Sequence, residues 1–184
     1  MEKVVISILG QDRPGIIAAV TGVLYETGCN IENVSQTILQ SEFSGIFIAG
    51  LPAGLTPADL RRKLQAILEQ MDLHVTVKTL RHDPKRYSPV PSEPFVITTR
   101  GPDQKGLVAR ITAVMARHQV NVTDLQAVFK GGEDPNHNVM IYEVDIPRNA
   151  DPRLLCEDLR SKARELGLEI SIQHRQIFEV LNRI

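Results

Sequence analysis

The chain reads as an α+β protein of two tandem βαββαβ units of the ferredoxin-like class, each an antiparallel sheet covered by helices on one face. Three observations predict this. A glycine-bounded motif occurs twice in constant register, the same order of strand-like and helix-like periodicity follows each copy, and a proline-rich stretch separates them.

The repeat is visible residue by residue. Gly10-Gln11-Asp12-Arg13-Pro14-Gly15-Ile16-Ile17 resembles Gly101-Pro102-Asp103-Gln104-Lys105-Gly106-Leu107-Val108, at an offset of about 91 positions. The match continues without a gap through Ala18 and Ala109, Thr21 and Thr112, Val23 and Val114, to Asn30-Ile31 and Asn121-Val122.

Each element has a local cause. The β-branched run over 3–9 is a buried strand. Between Gly15 and Thr27, Ile16, Ile17, Val20, Val23 and Leu24 fall on one helical face. Gly28 stops that helix as a C′ residue. Residues 30–40 and 43–51 read as two strands. Thr56-Pro57-Ala58-Asp59 opens a helix with an N-cap hydroxyl, proline at N1 and an acid at N3. Leu60, Leu64, Ile67, Leu68 and Met71 form its apolar stripe. Leu73, Val75, Val77 and Thr79 alternate with His74, Thr76 and Lys78 as the last strand.

The second copy repeats the order: a strand over 95–100, a helix over 106–118, and strands over 120–130 and 138–146. A helix from Asp151-Pro152 carries Leu155, Leu159, Ala163 and Leu166, and Gly167 closes it. Leu168, Ile170 and Ile172 alternate in the final strand. Gly131–His137 reads as a polar hairpin loop, and 176–184 as a short helix. The expected organisation is a first unit over 1–81, a linker over 82–93 and a second unit over 94–184 with a short C-terminal extension. The linker is stiffened by Pro84, Pro89 and Pro91.

Composition narrows the function. The formal net charge is −1, from 21 Lys and Arg against 22 Asp and Glu, with both signs interleaved. Direct nucleic-acid binding calls for a basic face that releases counterions, and no basic tract supplies one. No apolar stretch approaches the roughly 20 residues of a membrane helix, and the N-terminus has no signal-peptide pattern. Two distant cysteines, Cys29 and Cys156, fit a cytoplasmic protein with free thiols.

The segment from Gly10 to Ile16 at a strand-to-helix turn, with Asn30-Ile31 opening the next strand, resembles the ACT domain, and the resemblance covers both halves. Two such domains in tandem resemble the glycine cleavage system transcriptional repressor family. Similar domains stand at the front of formyltetrahydrofolate deformylase and some phosphoserine phosphatases, whose separate catalytic domain finds no room in 184 residues. The resemblance implies an amino acid, glycine or similar, bound near the first strand–helix loop at an interface between ACT domains. It also implies action through a protein partner, a DNA-binding regulator, without contact to nucleic acid. The second copy departs from the pattern, with Gln104-Lys105 in place of Arg13-Pro14. Its loop is expected to take a different ligand, bind weakly, or serve structure.

Chemically, such a loop suits an amino acid. Gly10 and Gly15 permit tight turns and close backbone approach. Pro14 sets φ for a first helical turn. The free N–H groups around Gly15, Ile16 and Ile17 stand at the positive helix end, where a carboxylate fits. Asp12 can accept from an ammonium group, and Asn30, with Ile31 beside it, can read either group. Asp103, Gly106, Leu107 and Asn121 hold these roles in the second copy. The plainer alternatives stay open: Asp12 as a helix cap, Asn30 as the turn after Gly28, and Arg13 as a solvated or interface charge. Thr21 and Thr112 are expected to back-bond within their helices or pack between domains.

No catalytic constellation, cofactor motif or metal-ligand spacing emerges from the five histidines and two cysteines. The expected protein is an amino-acid-sensing regulator and not an enzyme, a homodimer through its sheet edges. The alternative is a detached regulatory or interaction subunit of an amino-acid enzyme, without a ligand of its own.

Overall fold

The computed structural model describes residues 2–80, 90–128 and 138–177. The chain divides into two compact units, Met1–Arg86 and Tyr87–Ile184. In the first, β1 (Lys3–Gln11), α1 (Ile16–Glu26), β2 (Asn30–Leu39), β3 (Glu42–Gly50), α2 (Pro57–Leu68) and β4 (Leu73–Thr79) follow in order. The sheet order is β2-β3-β1-β4, with every pair antiparallel.

The core follows from strand alternation. Val4, Ile6 and Ile8 of β1 and Phe43, Phe47 and Ala49 of β3 are buried beneath the helices. The helices return Ile16, Val20, Val23 and Leu24 from α1 and Leu60, Leu64 and Leu68 from α2. Ile17 and Ile67, expected on these faces, are 36% and 39% exposed. Each sits one residue from a buried neighbour, and about 100° of helical rotation carries it off the stripe. Only one side of the sheet is covered, so Leu9 and Ile46 on the other side remain exposed.

The helix ends behave as their residues dictate. Thr56 Oγ1 accepts from the Asp59 amide at 3.1 Å and donates to Asp59 Oδ2 at 2.6 Å. That hydroxyl, with Arg62 adding to it, holds the Asp59 carboxyl below the usual range. Gly28 adopts φ 70° just beyond α1, and its amide bonds to the Tyr25 carbonyl. Thr21 and Thr112 each back-bond at 2.8 Å, to Ile17 and Val108.

The second unit contains β5 (Ser92–Gly101), α3 (Leu107–Arg117), β6 (Asn121–Val128), β7 (Asn138–Pro147), α4 (Pro152–Glu165) and β8 (Glu169–His174), with sheet order β6-β7-β5-β8. Strand β5 starts earlier than its sequence pattern and takes in Ser92 and Glu93, which were expected in the linker. Over Ser92–Pro94 it pairs with β7 alone, because β8 ends opposite Phe95. With one neighbour missing, a proline without an N–H is tolerated. Residues 82–89 of that linker and the expected hairpin loop Gly131–His137 lie outside the described residues. Arg175–Ile177 are helical, and 178–184 lie outside the described residues.

Both units share two irregularities. The register shifts between Ile31 and Asn33 in one and between Val122 and Asp124 in the other, a β-bulge near the start of each edge strand. A Cβ at Gly10 would lie 2.7 Å from Leu73 Cδ2 and 2.9 Å from the Asp72 carbonyl oxygen, and one at Gly101 would meet Leu168 Cδ2 and the Gly167 oxygen at the same distances. The last strand of each unit thus enters the sheet across a bare backbone. Gly10→Ala is expected to destabilise the protein by about 1–3 kcal/mol, because backbone must shift to admit the methyl. Urea denaturation checks this, and an unchanged midpoint would refute the contact.

Candidate ligand-binding loops

The loop between β1 and α1 is tied at one end and free at the other. The Asp12 amide donates to the Ser41 carbonyl at 2.7 Å, fixing the loop to the β2–β3 turn. Gly15 is the N-cap with φ 98°, a left-handed conformation that disfavours a side chain. Pro14 therefore precedes the cap and does not occupy the first helical turn as expected. No side chain caps α1, so Asp12 is not its cap, and the first-turn amides are left open. Ile16 is buried and anchors the helix start, Arg13 is half-buried, and Asp12 and Pro14 are exposed. Among the described residues, neither the Asp12 carboxylate nor the Arg13 guanidinium makes a hydrogen bond or ion pair.

Asn30 is elsewhere. It opens β2 opposite Gly50, which in turn faces Lys3 at the start of β1, whereas Asp12 follows Gln11 at the strand's far end. Eight steps of strand separate the two ends, about 26 Å. Within one unit, Asn30 and the half-buried Ile31 cannot touch a small ligand held by Asp12. The same separation holds for Asp103 and Asn121, since Gly101 faces Asn138 and Asn121 faces Asp145.

The second loop has the same backbone but spent side chains. Gly106 caps α3 with φ 86° ahead of a buried Leu107. Gln104 Nε2 donates to the Leu166 carbonyl at 2.6 Å, satisfying an open group at the end of α4. Asp103 Oδ1 accepts from Asn138 Nδ2 at 3.5 Å. His118 Nε2 lies 2.9 Å from Asp158 Oδ2 and ties the end of α3 to α4.

Beneath this loop lies a feature that the sequence pattern did not reveal. Pairing across the two sheets puts Thr99, Asn138 and Tyr142 where the first unit has Ile8, Phe43 and Phe47, and all six are buried. Burial pushes the Tyr142 phenol up to about 12. The Thr99 hydroxyl is near enough to ease that shift, yet its geometry is not that of a hydrogen bond. The phenol instead points at Met140 Sδ, 3.3 Å away. Among the described residues, Thr99 Oγ1 and Asn138 Oδ1 have no hydrogen-bond partner. Setting Phe43-x-Gly45-x-Phe47 beside Asn138-x-Met140-x-Tyr142 would have revealed the exchange.

Among the described residues, no group of three or more His, Cys, Asp or Glu is placed to hold a metal ion, and no helix is long and apolar enough to cross a membrane.

Two βαββαβ sheets, each with a glycine-capped loop joining its central strand to a helix, define a protein of paired small α+β modules. The ACT domain family matches residues 2–78 and 93–173, and the chain belongs to that family. It is 34% identical over 94 residues to a UPF0237 protein of Methanosarcina acetivorans, covering 50% of this chain and 98% of that relative, a protein one unit long. It is 26% identical over 171 residues to the glycine cleavage system transcriptional repressor of Escherichia coli, covering 91% of this chain and 87% of the relative. The crystal structure of an unknown protein from Galdieria sulphuraria shares the fold, with TM-score 0.77 and 21% identity, covering 94% of this chain and 98% of that one.

Thr99→Val is expected to leave stability unchanged or raise it by about 1 kcal/mol, because it removes an unpaired buried hydroxyl at constant shape. A clear loss in urea denaturation would show that the hydroxyl is satisfied. Tyr142 also predicts a pH response. With the folded phenol near 12 and the unfolded one near 10, its contribution is complete below pH 10 and is lost as pH rises toward 12. The loss is up to about 2–3 kcal/mol. Tyr142→Phe should lack that component of alkaline destabilisation, and identical profiles would contradict the shift.

Proposed function

We propose that this protein is an amino-acid-responsive regulator of the glycine cleavage repressor kind, acting through a protein partner and not by direct contact with DNA. The observation that carries this reading is the contrast between the two loops. The first presents an uncommitted carboxylate, a half-buried guanidinium and open helix amides, complementary to an ammonium and a carboxylate. In the second, Asp103 and Gln104 are already bonded within the unit. The Escherichia coli relative, aligned over most of both chains, supports a repressor role. The near-neutral net charge supports a protein partner over DNA.

In this scheme a small amino acid places its carboxylate on the amides of Gly15 and Ile16 and its ammonium on Asp12. Asn30 and Ile31 reach it only from a second chain, so the binding form is a homodimer. Asn121, likewise remote from Asp103, has a structural role at the start of β6. Ligand changes partner affinity only by binding two states of the regulator unequally.

Calorimetric titration with glycine, serine and the other amino acids tests the site. Asp12→Ala should weaken binding about 10- to 100-fold, the range for losing a charge-assisted hydrogen bond. Asp103→Ala should leave it unchanged. Absence of heat with glycine, serine and every other small amino acid, or equal affinity of Asp12→Ala for the one that binds, would discard the loop as the sensor. A monomeric mass by light scattering with ligand present would remove Asn30 from it.

A further inference from the structure

Each unit leaves a cleft in the same place, between the opening turns of its second helix and its outermost strand. The helix starts with proline and turns its leucines to the core. The strand beneath it is the last of the sheet, so among the described residues nothing fills the angle between them. In the first unit the cleft is about 490 Å³ and is polar and cationic, lined by Arg61, Arg62, Gln65 and Lys78. In the second, Pro152, Cys156 and Ile172 take the positions of Pro57, Arg61 and Val77, and the chemistry inverts.

The second cleft, about 470 Å³, has walls of Phe95, Ile146, Leu155, Cys156 and Ile172, with Glu93 and Arg148 at its rim. Leu155 and Ile146 are buried, while Phe95 and Ile172 each keep a partly exposed face. Phe95 is braced by an edge-on contact with the His174 ring, centroids 5.2 Å apart. The rim is held by backbone. The Ala150 amide closes a turn onto the Pro147 carbonyl at 2.9 Å, and the Arg148 amide bonds to the Pro91 carbonyl at 2.8 Å. Arg148 Nε and Glu93 Oε1 stand 3.5 Å apart, with both side chains more than half exposed. An exposed pair of this kind contributes little to stability, so a ligand that offers each charge a better partner displaces it at small cost. The size falls in the range of small-molecule sites, and so does the make-up of apolar walls with a few oriented polar groups.

One cation and one anion a few ångströms apart over an apolar floor complement a zwitterion with a greasy side chain. We propose that this cleft binds an α-amino acid with a branched or aromatic apolar side chain, its carboxylate on Arg148, its ammonium on Glu93 and its side chain against the exposed faces of Phe95 and Ile172. The site is separate from the β1–α1 loop and from Asp12. It rests on the amino-acid-responsive reading only for the ligand class, and makes the second unit a receptor for a different effector from the first.

Cys156 supplies the readout, since a seated side chain covers its thiol. Full-length protein carrying Cys29→Ser keeps Cys156 as its single thiol. Its alkylation by iodoacetamide, followed by mass spectrometry, is measured with leucine, phenylalanine, glycine or 4-methylpentanoate, the deaminated counterpart of leucine. Leucine or phenylalanine should slow alkylation saturably. Glycine should not, and 4-methylpentanoate should need about ten-fold higher concentration because it leaves Glu93 without a partner. Arg148→Ala and Glu93→Gln, both at the exposed rim, should each weaken protection at least about ten-fold, while Asp12→Ala should not change it. Protection lost in Asp12→Ala would place the ligand at the loop instead. The inference fails if no apolar amino acid protects, if glycine protects equally, if 4-methylpentanoate matches leucine, or if both rim variants behave as the parent protein.

Discussion

The central strand of each unit ends beneath the start of the last strand, at a distance that admits no side chain. That contact, at Gly10 against Asp72 and Leu73 and at Gly101 against Gly167 and Leu168, fixes much of the remaining architecture. It lets β4 and β8 pair along the central strand up to its final residues, Leu73 facing Gly10 and Glu169 facing Arg100. The loop then leaves the sheet at one defined point and turns through a left-handed glycine into the helix. The open amides of that helix and the placement of Asp12 and Asp103 derive from this geometry.

On this shared frame the two copies distribute polarity in opposite ways. The first keeps an apolar core of Ile8, Phe43 and Phe47 under its loop, and places its charges on the exposed loop and along the cleft beside β4. The second puts Thr99, Asn138 and Tyr142 in that core, commits its loop side chains to internal bonds, and lines its cleft with apolar groups. Buried polar atoms without partners lower stability, whereas free exposed charges cost little. The second unit therefore carries the larger internal penalty. Its longer α4, capped by Asp151 and holding Leu155, Leu159 and Ala163 at full burial, works against that penalty.

The fold was legible because its signals are local. Thr56, Pro57 and Asp59 specify a helix start in four residues, Gly28 and Gly167 specify helix ends, and the inward leucines of α2 and α4 follow directly from helical spacing. The site was legible only in part. Asp12 and Asn30 belong to one sequence motif, yet the antiparallel register of β1, β3 and β2 places them at opposite ends of the sheet, which no local pattern encodes. Which side chains in the second loop are already engaged depends on Leu166 and Asn138, partners tens of residues away. The cleft walled by Phe95, Leu155 and Ile172 draws on two strands and a helix, and Leu155 and Ile172 read simply as inward positions of their own elements.

The bond from Gln104 to the Leu166 carbonyl bears on how such a duplicated chain can change over time. Once a loop residue finishes a neighbouring helix, the loop has acquired a second duty. A single step from Gln104 to the arginine of the first copy would replace the amide that closes α4 with a longer, charged donor, which must find a new path to the Leu166 carbonyl. Divergence of the two halves thus behaves as a ratchet: each substitution that settles the second loop into the architecture adds a bond that any later change of that loop must first break.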